Sequence, residues 1–159
     1  MFAVKGTDMF TKIFDALKTG IAELDESGRM YVERYKGEFE EGADWNPRFP
    51  CALIRFMGMY KFVEGKDSNI LLRNSKVMVY CAVINKSEPA ILDLIETLME
   101  YFNNTTLQID ITPDPTDEET DPEKVYTYAT LDLEDDNCNF HGYYKGVEVY
   151  TINAKITHI

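Results

Sequence analysis

The sequence predicts an α+β domain, a mainly antiparallel sheet with two helices packed on one face. Three observations predict it. Two stretches, Asp8 to Leu24 and Glu88 to Phe102, carry apolar residues at helical spacing. Between and after them lie runs rich in valine, isoleucine, tyrosine and threonine, the residues that suit a pleated surface. The resulting order is helix, three or four strands, helix, three strands. Two helices over one side of a sheet is the economical way to bury both sets of apolar faces.

In the first helix Phe10, Ile13, Phe14, Leu17, Ile21 and Leu24 form one continuous stripe. Thr7 or Asp8 can cap its first amides, and Ser27-Gly28 stops it. Arg29 to Lys36 reads as a strand. Gly37 to Pro50 (GEFEEGADWNPRFP) is a polar loop with the chain's only tryptophan. Cys51 to Tyr60 (CALIRFMGMY) is nearly all apolar, as expected of a strand buried on both faces. A turn at Glu64 to Ser68 leads into a short strand, Asn69 to Arg73, and then a second buried strand, Ser75 to Ile84.

Ser87 caps the second helix, and Pro89 sits near its start, where a missing amide does no harm. Ile91, Leu92, Leu94, Ile95, Leu98, Met99 and Phe102 give it a wide apolar face, and Asn103-Asn104 ends it. Leu107 to Thr112 alternates as a short strand. Pro113 to Glu123 (PDPTDEETDPE) has three prolines, six acidic residues and no basic one. Such a segment buries too little apolar surface to order itself, so an exposed, mobile loop is expected. Lys124 to Leu133 alternates again, Glu134 to His141 reads as a polar connection, and Gly146 to Ile159 is a long strand with one buried face.

The length of 159 residues suits a single domain spanning 1–159, and 45% apolar and 13% aromatic residues are the proportions of a packed protein. A net charge of −12 argues against nucleic-acid phosphate or anionic lipid as partners, since both would be repelled. Met1 to Thr7 lacks the pattern of a signal peptide, and no run approaches the length of a membrane span. Cys51, Cys81 and Cys138 are odd in number and far apart, which fits reduced structural thiols in a cytoplasmic setting. A soluble intracellular protein is expected.

The catalytic repertoire is sparse. An EF-hand starting at Asp132 would need glycine at its sixth position and glutamate at its twelfth, where the chain has Asn137 and Tyr143. A two-metal hydrolase built on Asp132, Glu134, Asp135 and Asp136 would lack a basic groove for its substrate. His141 and His158 stand near no second ligand or nucleophile, and structural roles are expected for both. No cofactor and no metal are expected. Two loops are the candidate interface. In the first, Trp45 and Phe49 stand beside Arg48, Glu38, Glu40 and Glu41, apolar anchors with a polar rim. Trp45 either meets a partner or folds back over the core edge. The second is the acidic loop with Asp114, Asp117, Glu118, Glu119 and Asp121, which either keeps the chain soluble or meets a basic partner.

The opening helix (FTKIFDALKTGIAEL), the CALIRF strand after a proline-containing loop, and SKVMVYCAVI leading into ILDLIETLMEYF carry a resemblance, as does the terminal KGVEVYTINAKITHI. Together they resemble the small tail proteins of tailed phages and prophages, the Mu-like prophage tail component family related to the lambda-type tail terminators. The resemblance implies a non-enzymatic protein that forms a ring with copies of itself, often a hexamer, on the end of the tail tube. The ring would stop tube growth and meet the head-completion proteins. It implies assembly in the host bacterial cytoplasm and residence in the virion tail. Subunit and tube contacts would then fall to Gly37–Pro50 and the acidic loop. Two rival readings come from other classes: an acidic inhibitor or DNA mimic acting on a basic partner, and the metal-dependent hydrolase above.

Overall fold

The computed structural model describes residues 9–43, 48–64, 71–84, 88–113 and 123–158. The chain runs α1 (Met9–Ala22), β1 (Tyr31–Arg34), β2 (Cys51–Glu64), β3 (Leu71–Ala82), α2 (Glu88–Phe102), β4 (Thr105–Asp110), β5 (Tyr126–Tyr144) and β6 (Val147–His158). The strands form one sheet in the order β1-β2-β3-β6-β5-β4. Every neighbouring pair is antiparallel except β1 and β2, which run parallel. The α+β class with both helices on one face is therefore the architecture of this chain.

The helical periodicity becomes the inner core. Ile13, Leu17 and Ile21 of α1 and Ile91, Ile95, Leu98 and Phe102 of α2 are buried. They pack on the alternate residues Ala52, Ile54, Val77, Val79, Cys81, Ile152, Ala154 and Ile156. The central strands β3 and β6 and their neighbour β5 lie against α2, whereas α1 touches both edge strands, β1 and β4. The sheet thus curls into a half-barrel whose two edges are bridged by α1. At Gly20, α1 comes so close to α2 that a Cβ there would collide with the Tyr101 hydroxyl.

The end of α1 is organised by one side chain. The Asp25 carboxylate accepts from the Ser27 amide and hydroxyl and from the amides of Arg29 and Met30, at 2.7–3.1 Å. The Ser27 hydroxyl leads the interactions that hold its pKa below the usual aspartate value. Gly28 turns the chain at φ +68°, so the expected Ser27-Gly28 stop lies beyond a helix that already ends at Ala22. The expected caps Thr7, Asp8 and Ser87 lie outside the described residues.

Four expectations are corrected. The described residues of the two segments 69–73 and 75–84 share one strand, Leu71–Ala82, because the intervening Asn74 pairs with β6, where its Oδ1 accepts from the Thr157 hydroxyl at 2.9 Å. Glu134 to His141 is not a connection but part of β5. The ladder to β6 breaks between Leu133 and Cys138 and again between Phe140 and Gly142. The acidic run is accommodated as a wide bulge, with the Asn153 side-chain amide donating to the Asp136 carbonyl at 2.8 Å. The strand over Cys51 to Tyr60 is fully buried from Cys51 to Ile54, but Arg55 and Met57 are exposed, Met57 by 42%. The first strand is also shorter than its tyrosine- and valine-rich run, ending at Arg34. Among the described residues no helix is long and apolar enough to cross a membrane.

Candidate interface

The first loop predicted as an interface folds back on the sheet, on the face opposite the helices. After Arg34 the described residues bring Tyr35 and Phe39 onto that face. It lays Tyr35 flat on Tyr80, with ring centroids 3.8 Å apart and planes 9° apart. Phe39 packs beside both rings and edge-on to Tyr144. With Cys51, Leu53, Ala82 and Val149 these residues form a second, smaller core.

Polar groups hold this cap in register. The Tyr35 hydroxyl donates to the Glu40 carboxylate at 2.8 Å and accepts from the Phe39 amide at 3.3 Å. Burial, ahead of the neighbouring Glu40, raises the Tyr35 pKa far above its ordinary value. The Arg55 guanidinium donates to the Tyr80 hydroxyl at 3.4 Å and lies 5.9 Å from the Tyr35 ring centre. Glu38 accepts from the Lys36 amide at 2.7 Å. It is 5% exposed, and burial raises its pKa despite that hydrogen bond. His141 stands edge-on to Tyr80, 5.1 Å between ring centres, with Nε2 3.2 Å from the Phe39 carbonyl. The β5 irregularity beside Gly142 thus brings His141 onto the cap.

The structure therefore divides the predicted interface residues. Glu38 and Glu40 serve the cap internally, although Glu40 remains exposed. Phe49 is half-buried against the second core. Arg48 is exposed, its guanidinium 5.8 Å from the Tyr31 ring centre. Trp45 lies outside the described residues, as do Asp114, Asp117, Glu118, Glu119 and Asp121. The residues flanking that acidic segment, Pro113 and Glu123, are at the end of the sheet remote from the cap. There Asp110 of β4 pairs with Tyr126 of β5, while Cys51, Ala82, Val149 and Gly142 make the row at the cap end. The described residues flanking the two predicted loops thus lie at opposite ends of the sheet.

The remaining candidates are placed as follows. His158 is 1% exposed and edge-on to Phe10, with ring centres 5.9 Å apart. Cys51 and Cys81 are buried free thiols. Burial pushes the Cys51 thiol up to about 12 and raises Cys81 further, so both hold their protons at neutral pH. Cys138 is free and half-buried. Among the described residues no group of three His, Cys, Asp or Glu side chains is arranged to hold a metal ion, the Asp132–Asp136 run included.

The sequence reading missed another surface. Large apolar side chains stay exposed at Ile84, Phe140 and Tyr143 near the cap end of the strands, with Tyr143 71% exposed, at Val125, Tyr126 and Tyr128 near the other end, at Met57 within β2 and at Leu92 of α2. The sequence signal was there in the tyrosines of YTYAT and FHGYY, but alternation does not say which face is left uncovered. No family model matches the chain, and no curated protein matches it.

Proposed function

We propose that the chain is a non-enzymatic assembly protein, a ring-forming tail terminator or completion protein of a phage or prophage. In this reading, copies of the chain cap the tail tube and present the opposite surface to head-completion proteins. The supporting observation is that large apolar side chains stay exposed near both ends of the strands, Ile84 at one and Val125, Tyr126 and Tyr128 at the other. A ring held between a tube and a head needs an adhesive surface at each end. The order of elements and the quoted segments supply the link to tails. A charge of −12 slows premature association by mutual repulsion.

The test is negative-stain imaging of particles made without this protein. Tails of irregular, extended length that lack heads are expected. Uniform tails of normal length with heads attached would overturn the reading. A companion pull-down discriminates the rival class: capture of a nucleic-acid-binding protein in a one-to-one complex, with no tail protein, would favour the acidic inhibitor instead.

A further inference from the structure

The two outermost ladders of the sheet stop short of the strands they cover. The β1–β2 ladder ends at Arg34↔Ile54, although β2 continues to Glu64. The β4–β5 ladder ends at Thr105↔Leu131, although β5 continues to Tyr144. Among the described residues, no strand pairs with the outer side of β2 from Arg55 or of β5 from Asp132. Such edges expose backbone donors and acceptors that template a further strand.

The uncovered stretches lie on opposite edges and at opposite ends of the sheet. Cys51 of β2 shares a cross-strand row with Gly142 of β5, so β2 is open away from the cap and β5 is open towards it. The two strands also run in opposite directions, because three antiparallel steps separate them. Two copies in the same orientation can therefore place the β5 of one against the β2 of the next as an antiparallel pair, the more stable kind.

We propose that the outer edge of β5 from Cys138 to Tyr143 takes up the outer edge of β2, from Arg55 onward, of a second copy of this chain. This proposal rests on the ring reading and names its subunit contact. Charge selects the pairing. The β5 stretch follows Glu134, Asp135 and Asp136, so two β5 edges brought together repel. The β2 stretch begins at the exposed cation Arg55. Exposed apolar side chains stand on both edges, Phe140 and Tyr143 on β5 and Met57 on β2. The bulge at 134–137 turns the acidic run out of the ladder, and pairing resumes at Cys138. Because one surface meets a different one, the contact is head-to-tail, the kind that closes rings. The offset between the two edges staggers neighbouring copies and tilts their strands, as in closed sheets.

The experiment uses the whole chain and two variants at exposed positions, Met57→Lys and the double variant Phe140→Lys with Tyr143→Lys. Circular dichroism and melting curves verify that each is folded. Light scattering coupled to size exclusion, over a concentration series, gives the mass. The unaltered chain is expected to form a closed oligomer. Each variant alone should need at least tenfold higher concentration to associate, and an equimolar mixture should yield a dimer and nothing larger, since each retains one intact edge. Variants that assemble like the unaltered chain, a mixture that stays monomeric, or an unaltered chain that is monomeric throughout would overturn the proposal. Tail imaging is independent: normal tails without this protein would remove the tail reading and leave the edge pairing standing.

Discussion

On the helix side of the sheet, Ile13, Leu17, Leu98 and Phe102 meet Val77, Val79 and Ile152, with no exposure beyond 1% at any of them. On the other side Tyr80 lies beneath Tyr35 and Phe39, tied by Arg55, Glu40 and His141. The first region is apolar and non-directional, stabilised by area removed from water. The second is small and directional. Its rings must be oriented, and its hydroxyls, carboxylates and amides must each find partners, because burial without them costs about 1–3 kcal/mol per group. One sheet thus shows two ways of covering a face: regular elements where periodic sequence supplies a stripe, and a hydrogen-bonded aromatic loop where it does not.

Substitutions in the two regions should separate these contributions. The largest effect is expected from Phe102→Ala, which empties the largest fully buried side chain of the helix side. A loss of about 3–5 kcal/mol is expected, read as one cooperative shift in urea unfolding by both circular dichroism and tyrosine fluorescence. A change confined to one probe would show that the helix side is not the common core.

Tyr35→Phe should act more locally. It keeps the stack on Tyr80 but leaves Glu40 without its donor and the Phe39 amide without its acceptor. A loss of about 0.5–1.5 kcal/mol is expected, with faster hydrogen exchange concentrated between Tyr35 and Ala43. Uniformly faster exchange across β3 and β6 would mean that cap and core unfold together.

The smallest effect sharpens the electrostatic side of the comparison. The Glu38 carboxyl titrates higher in the folded chain than in the unfolded one, because burial disfavours its charge. Folding therefore favours the protonated form. Stability from this group is fully present below the unfolded value and is lost as pH rises through the folded one. Glu38→Gln, which retains an acceptor for the Lys36 amide, should raise the melting temperature slightly at pH 7. That gain should vanish below about pH 4, under the ordinary glutamate value. An equal gain at both pH values would refute the electrostatic account.

The helix-covered side was legible in the chain because its signals are local. A residue three or four positions along a helix, or two along a strand, faces the same way whatever the rest of the molecule does. That physics predicts α2 over Glu88–Phe102 and places Ile13, Leu17, Ile21, Val77, Val79, Ile152 and Ile156 in the core. The order of elements follows from the same local reading. The tertiary structure alone decided the rest. Polarity suggested that Glu134 to His141 is a connection, but β6 holds the residues on both sides of 134–137 in one ladder, so that run becomes a bulge within β5. Acidity placed Glu38 and Glu40 on a partner-facing rim, yet the Lys36 amide holds a buried Glu38, and the exposed Glu40 is engaged by the Tyr35 hydroxyl. Where β1 and β4 end, and hence which backbone edges stay uncovered, depends on pairing across long sequence separations. Local propensity is set by neighbours along the chain; coverage and unpaired edges are set by neighbours in space.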